Sequence, residues 1–374
     1  MMLLHLSDLH LSRYGESGRW RQRDLKDDGW EVLHVWHRWH IEGKRDRKGR
    51  PDDLRLVDPE GVVHKVKNWP SRRDERTISS LLTTAMKRHQ TSAERLISNR
   101  PTPEDLEAML HVDPYNTNLR FLHLVDRVQE LGPDLVLLTG DITDNGFGYM
   151  LVRHYLRKWI DSRRLFVVPG NHDTYDMLPA MGRRARTEAK EDRYAEFAAR
   201  VGMECNETGA YVHRVDDIAV VGLNSCQMPR TPLSASGAVS KQQLAWLARL
   251  GRDSGFRAAR LRLGLVHHHL LRIPFSVGRR SPIEVGMRLR NATEVIRTCT
   301  DAGLDVLFNG HRHHGYVVKL PGRPMVISAP SSTLGCKSAV NQVYGWRMEL
   351  DDDDTPFPIL HRLLDPPGQA QAHP

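Results

Sequence analysis

Apolar residues along this chain fall into short runs separated by segments of helical spacing, and several runs stop at polar residues able to hold a cation or move a proton. Met2 to Leu6 is the first, a predicted strand that ends in Ser7-Asp8-Leu9-His10. Leu119 to Leu131 has helical spacing. The turn pair Gly132-Pro133 and the strand candidate Asp134 to Leu138 follow it and lead into Gly140-Asp141. Leu151 to Ile160 reads as a helix, and the strand Leu165 to Val168 delivers Gly170-Asn171-His172-Asp173. Leu261 to Val266 enters His267-His268-His269. The helix Thr293 to Ala302 precedes the strand Val306 to Asn309, which stops at Gly310-His311-Arg312-His313.

Between these segments the spacing predicts an amphipathic helix from Arg183 to Val201. It also predicts a hairpin of Tyr211 to Val215 with Ile218 to Leu223, turning at Asp216-Asp217, and a helix from Lys241 to Leu250 capped by Ser240. Tyr316 to Leu320 and Met325 to Ser328 are strand candidates joined by Pro321-Gly322-Arg323-Pro324, and Val343 to Leu350 can add an edge strand. Asp351 to Asp354 reads as a solvated acidic turn and residues 366 to 374 as a loose tail.

Residues 13 to 115 differ in character, with Trp20, Trp30, Trp36, Trp39 and Trp69 among many charges, and are read as an insertion after the first strand. Leu54 to Val57 and Val62 to Val66 flank Asp58-Pro59-Glu60-Gly61 as a hairpin would. Thr77 to Leu110 carries helix formers, with Pro101 and Pro103 separating two helices and Thr102 placed to cap the second. The tryptophans interleaved with arginine could stack on single-stranded nucleic acid, but a small aromatic core is the commoner outcome. His34, His37 and His40 would share one face of a helix with Trp36 and Trp39 beside it, a pattern met more often in packing than in metal binding.

Bulk properties narrow the picture further. The four cysteines, Cys205, Cys226, Cys299 and Cys336, show no CxxC or secreted-scaffold spacing, so neither a disulfide framework nor a thiolate zinc site is indicated. The six residues Met1 to Leu6 are too few for a signal-peptide core before Asp8 arrives, and no run approaches the roughly 20 apolar residues of a membrane span. A cytoplasmic location is expected. The net charge of +8 suits an anionic substrate, either a phosphorylated small molecule or nucleic acid, although the basic residues are scattered among acidic ones.

Five strand ends therefore present Asp8 with His10, Asp141 with Asp144, Asn171 with His172, the triple His267 to His269, and His311 with His313. Carboxyl ends of strands in α/β sheets converge on one crevice, where ligands distant in sequence can meet. In Asp-x-His the side chains two apart point the same way, so both can approach one ion. Carboxylate, imidazole and amide oxygen together suit borderline divalent ions, namely manganese, iron, zinc, nickel or cobalt. A carboxylate shared by two such ions would hold them roughly 3.5–4 Å apart, the spacing that clamps a phosphoryl group, and Asp141 is the natural bridge.

In this order the blocks Asp8-Leu9-His10, Gly140-Asp141-Ile142-Thr143-Asp144, Gly170-Asn171-His172-Asp173, His267-His268-His269 and Gly310-His311-Arg312-His313 resemble the signature of the calcineurin-like metallophosphoesterase superfamily. The resemblance implies a four-layer α/β/β/α sandwich of two mixed sheets with a large insertion after the first strand. Residues 1–350 would form the phosphoesterase domain, interrupted by 13–115, and 351–374 would add a turn, a strand and the tail. It implies one divalent ion on Asp8, His10, Asp141 and His313, and a second on Asp141, Asn171, His311 and one histidine of the triple. Relatives place a proline two residues after that histidine; Leu270 stands there if it is His268, which favours His268 over His267. The resemblance further implies attack by hydroxide generated between the ions, with His172 protonating the leaving group. Asp144 and Asp173 would orient His172 or the loops, although an aspartate at 144 could instead cap the following helix.

The implied activity is hydrolysis of a phosphate ester. The Ser7-Asp8-Leu9-His10 start, the histidine-rich fourth block and Gly237 to Leu247 resemble the bacterial cyclic-nucleotide phosphodiesterase branch, so a small nucleotide diester is the expected substrate. A nuclease acting on DNA or RNA is the alternative, since the repair-nuclease branch shares the Asp-x-His and Gly-Asn-His-Asp blocks. An inactive scaffold that binds a partner through the insertion is the third, against which the intact ligand blocks argue.

Overall fold

The computed structural model describes residues 1–13, 15, 31–36, 39–45, 51–57, 63–64, 91–112, 115–175, 183–227, 235–271, 287–319, 321–334, 344–350 and 357–361. The chain divides into two compact units. One comprises Met1–His10 with Leu124–Leu364, the other Leu11–His123 with Asp365–Pro374.

The first unit holds two mixed sheets. In one the order is β15 (Phe357–His361), β14 (Gly345–Glu349), β1 (Met2–Leu6), β6 (Leu135–Leu138) and β7 (Leu165–Val167). The last three run parallel, while β14 is antiparallel to both neighbours. Segment 343–350, expected at an edge, is therefore interior, because β15 takes the edge. The other sheet has the order β12 (Tyr316–Val318), β13 (Met325–Ser328), β11 (Val306–Asn309), β10 (Leu261–Val266), β9 (Ile218–Leu223) and β8 (Tyr211–Val215). Here β13, β11, β10 and β9 are parallel and the two edge strands antiparallel.

Parallel strands are covered on both faces, which is why β6, β9 and β11 are buried throughout and read as continuous apolar runs. The inner faces of the sheets meet where the His5 ring packs edge-on against Phe308 at 4.9 Å and Trp346 Nε1 donates to the Ser328 carbonyl at 2.8 Å. The outer face of the second sheet buries Val221, Val266, Leu307 and Val326 against two amphipathic helices. These present Leu244 and Leu247, and Val295, Ile296 and Cys299, at helical spacing. Ser240 caps the first, accepting from the Gln243 N–H at 3.2 Å, as its sequence predicts.

Among the described residues the helices that fall wholly or mainly here are α3 (Thr117–Leu131), α4 (Gly148–Tyr155), α5 (Arg157–Asp161), α6 (Asn171–Thr174), α7 (Arg183–Arg200), α8 (Lys241–Leu250), α9 (Ser254–Arg257) and α10 (Ala292–Asp301). The single helix expected over 151–160 is divided into α4 and α5 by Leu156, whose ψ of 19° lies off the helical value.

The second unit contains an antiparallel sheet of β2 (Glu31–Trp36), β3 (Trp39–Arg45), β4 (Pro51–Val57) and β5 (Val63–His64), followed by helices α1 (Ala93–Ser98) and α2 (Pro103–Val112). The hairpin expected around residues 58–61 is present as β4 and β5. Thr102 accepts from the Asp105 N–H at 3.2 Å and so caps α2. A helix carrying His34, His37 and His40 is not formed. Val32, Val35, Ile41 and the aromatics beside them favour a pleated strand, and His34 and His40 lie on paired strands instead. His37, Trp20, Trp30, Trp69, Cys336, the residues 77–90, the 351–354 turn and the 366–374 tail lie outside the described residues. Among the described residues no helix is long and apolar enough to cross a membrane.

Candidate metal centre

Backbone hydrogen bonds join the carboxyl end of β1 to that of β6, and the carboxyl end of β10 to that of β11. Asp8 N–H donates to Gly140 O and His10 N–H to Asp141 O, each at 2.9 Å, and Gly310 N–H donates to His267 O at 3.0 Å. Asp8, His10, Asp141, His311 and His313 all have φ between 49° and 75°. Non-glycine residues rarely adopt this left-handed backbone, and at five positions in one site it marks loops held in a functional shape. Gly170 and Gly310 permit the approach. A Cβ on Gly170 would lie 2.0 Å from Asp141 N, and one on Gly310 would lie 1.9 Å from Ser7 Oγ and 2.4 Å from Asp8 Oδ2.

Three overlapping groups of donors result among the described residues. Asp8, His10 and His313 bring ligand atoms within 4.8 Å of one another, so do Asp141, His267 and His311, and His10, Asp141 and His172 form a third group that joins these two. Asp141 stands between them, with Oδ2 3.8 Å from His10 Nε2 and Oδ1 3.5 Å from His267 Nε2. Asn171 Oδ1 lies 3.1 Å from His267 Nε2.

Hydrogen bonds on the outer side of each ring fix which nitrogen faces inward. His267 Nδ1 donates to the Thr139 carbonyl at 2.7 Å and His311 Nε2 to the Met287 carbonyl at 3.1 Å. A carbonyl only accepts, so the remaining nitrogens, His267 Nε2 and His311 Nδ1, present lone pairs when the rings are neutral. These lone pairs face each other at 3.1 Å, with the Asn171 oxygen as a third acceptor. In the other group His10 Nδ1 contacts Asp144 Oδ1 at 2.9 Å, which turns His10 Nε2 toward His313 Nε2 at 3.0 Å. Acceptors converging without a proton between them, as His267 Nε2, His311 Nδ1 and Asn171 Oδ1 do, fit a cation, and the mixed nitrogen and oxygen set fits a borderline divalent ion.

Charge around the site agrees. Burial alone would raise the Asp8 carboxyl, but His313, His267 and His10 outweigh it and hold Asp8 below the usual carboxylate range. Burial is likewise outweighed at Asp141, by His267, His172 and His10, and at Asp144, by His172 and His10. Asp8 Oδ2 accepts from Ser7 Oγ at 2.6 Å and His311 N–H at 2.9 Å, which leaves Oδ1 directed at His313 Nε2, 3.2 Å away.

His268 is not part of this cluster, contrary to the expectation from Leu270. Val266 and Leu270 belong to the outer core, and alternation along β10 sends His268 to that same side and His267 to the inner one. His268 Nε2 donates to Ala235 O at 2.9 Å, and its Nδ1 accepts from Ser225 Oγ at 2.8 Å. Burial and the neighbouring His267 hold it well below the usual histidine value. Both nitrogens are thus occupied away from the centre.

Asp144 Oδ1 also lies 2.7 Å from His172 Nδ1, and the His172 ring packs edge-on to His10 at 4.8 Å. The helix-capping role for Asp144 is not realised: α4 is preceded by Phe147, with no side-chain cap. Asp173 holds loops together. Its carboxylate accepts from the N–H groups of Gly170, Ile142 and Thr143 and from Tyr149 Oη at 2.8–3.2 Å, while burial and the Asp141 charge push its pKa up to about 6.

Reasoning from sequence missed the brace under the first loop. Ser331 Oγ donates to Asp8 O at 2.7 Å, Thr333 Oγ1 to Leu9 O at 2.8 Å, and Ser332 Oγ accepts from Ser7 N–H at 3.0 Å. The only signal was the polar run Ser331-Ser332-Thr333 following a strand.

Residues 110–315, more than half of the chain, match the family model described as calcineurin-like phosphoesterase. The chain belongs to the calcineurin-like phosphoesterases. No curated protein matches it. Among solved structures this phosphoesterase is similar to a dimetal phosphatase from Danio rerio, at TM-score 0.43 and 14% identity over 66% of this chain and 90% of that one. It is also similar to a purple acid phosphatase from yellow lupin seeds, at TM-score 0.41 and 10% identity over 61% and 44%. Membership of the family and the paired donor clusters support divalent metal ions as its cofactors and a phosphoester as its substrate class.

Proposed function

We propose that this phosphoesterase hydrolyses phosphodiesters, most readily those of small, including cyclic, nucleotides. Asp8, His10, Asp141 and His313 would hold one divalent ion, and Asp141, Asn171, His267 and His311 a second. The observation that carries the reading is the pair of acceptor clusters sharing Asp141, one carboxylate oxygen toward each. When bound, two divalent ions bring a water pKa toward about 7 and stabilise charge on the phosphoryl oxygens.

The chain's own residues supply the rest. Asp144 accepts from His172 Nδ1, which fixes the ring and supports its positive charge, so His172 can offer a proton to a departing alkoxide. Buried His10, His267 and His313 exclude bulk water from the donor cluster. The Asp8 carboxyl, held below the usual carboxylate range, is ionised as a metal ligand must be.

A panel of phosphomonoesters, bis(p-nitrophenyl) phosphate, cyclic AMP and labelled single-stranded DNA, each assayed with manganese, zinc, iron and nickel, tests the reading. Metal-dependent hydrolysis of the diesters that is abolished by chelation and by Asp141→Ala is expected. Degradation of DNA with no action on small diesters would replace it with the nuclease reading. Activity on none of the substrates with any ion would remove it.

A further inference from the structure

Helix α7 presents Lys190, Arg193, Tyr194 and Phe197 at spacings of three, four and seven residues, so the four share one face. That face lies against the loops after β6 and β7. Phe197 stacks on Tyr149 at 4.5 Å, and Tyr149 Oη donates to Asp173 at 3.0 Å. Arg193 donates to Asn145 O at 3.2 Å.

Lys190 stands at the end of the row nearest the His172 and Asp144 pair. Its ammonium donates to His172 O at 2.8 Å and to Asp144 O at 3.0 Å, with Tyr175 O further off at 3.5 Å. Among the described residues Lys190 makes no ion pair. A half-buried lysine whose charge is directed to backbone carbonyls rather than to a carboxylate is ordering the backbone that carries them.

We propose that Lys190 is a positioning residue that holds the His172 imidazole in register with Asp144 by fastening the two loops to α7 from behind. One ammonium joins the main chain of both partners, so neither loop can shift the backbone from which its side chain projects without losing a charge-assisted bond. The consequence for chemistry rests on the reading of His172 as proton donor given above. The structural claim, that Lys190 sets the His172 to Asp144 contact, stands apart from it.

The test has two arms. In the first, ring-labelled histidine is used to follow the His172 Nδ1 proton by NMR, assigned with His172→Ala, in wild type, Lys190→Met and Lys190→Arg. A protected proton is expected in wild type, exchange at least 10-fold faster in Lys190→Met, and recovery of protection in Lys190→Arg. In the second, kcat is measured with p-nitrophenyl and alkyl esters, alongside bound metal per chain. Lys190→Met should lower kcat at least 10-fold on the alkyl ester, whose leaving group needs a proton. The p-nitrophenyl ester should change less than threefold, and metal content should not change.

No protected His172 proton in wild type, or equal protection in Lys190→Met, overturns the proposal. So does an equal loss of kcat on both esters. If Lys190→Met does not fold, Lys190→Gln takes its place with the same expected signs. A wild type that hydrolyses no phosphate ester defeats the functional reading alone, and the first arm still decides the role of Lys190.

Discussion

His10 Nε2 and His313 Nε2 lie 3.0 Å apart, although 303 residues of chain separate them. Since His10 Nδ1 is committed to Asp144, that contact sets two ring nitrogens against each other, an arrangement a shared cation relieves. The protein as purified, or after incubation with manganese or zinc, should therefore carry two ions per chain by elemental analysis. An ion at 100 times its Kd stabilises the native state by about 2.7 kcal/mol, so chelation should lower Tm by several degrees. An unchanged Tm together with no bound metal would count against the centre.

The two neighbouring histidines of the triple should behave differently. His267→Ala removes a nitrogen that faces Asn171, His311 and Asp141, and it should lose one ion of the pair and more than about 100-fold of the activity, beyond the usual cost of an outer partner. His268→Ala leaves the cluster's donors in place and should retain both ions, with a loss of roughly 10-fold or less through the His311 ring, 4.4 Å away. Metal counting on the two variants decides the assignment, and reversed results would restore His268 as the ligand.

These two histidines also show where the sequence stops being legible. The runs ending at Asp8, Asp141, Asn171 and His311 could be read because each strand is largely apolar until it reaches polar chemistry. His267 and His268 both follow a strand whose last four residues are buried, so burial does not mark the parity that separates them. Only the outer-core packing of Val266 and Leu270 does. The braces at Ser331, Thr333 and Lys190 act on carbonyl groups that every residue possesses, so nothing in the sequence marks their partners. The insertion misled for a different reason. Three histidines spaced by three satisfy a helical period, and the β-forming residues around them decided otherwise.

Gly310→Ala should damage the site more than the fold. The new methyl would press on Ser7 Oγ and Asp8 Oδ2, the oxygen that also accepts His311 N–H. Overpacking of this kind typically costs about 1–3 kcal/mol, so the variant should fold with a lowered Tm but bind metal weakly at the Asp8 group. Calorimetric titration with manganese measures this. A variant with wild-type affinity would mean that the loop accommodates the methyl without moving Asp8.

His5 gives a pH dependence separable from the metal. It is buried between the sheets, with Nε2 2.9 Å from Thr139 Oγ1 and its ring against Phe308. Burial lowers its pKa to about 3 from 6.5, only partly opposed by the Asp8 charge. The unfolded chain takes up a proton below pH 6.5 while the folded one stays neutral until about pH 3. Folding stability from this residue is therefore lost as pH falls through that window, by at most about 1.4 kcal/mol per unit. In chelator, to remove metal linkage, wild type should lose stability on going from pH 7 to pH 5 more steeply than His5→Gln, which has no ring to protonate. Denaturant unfolding at both pH values measures the difference, and parallel slopes would mean that His5 is protonated in the folded protein.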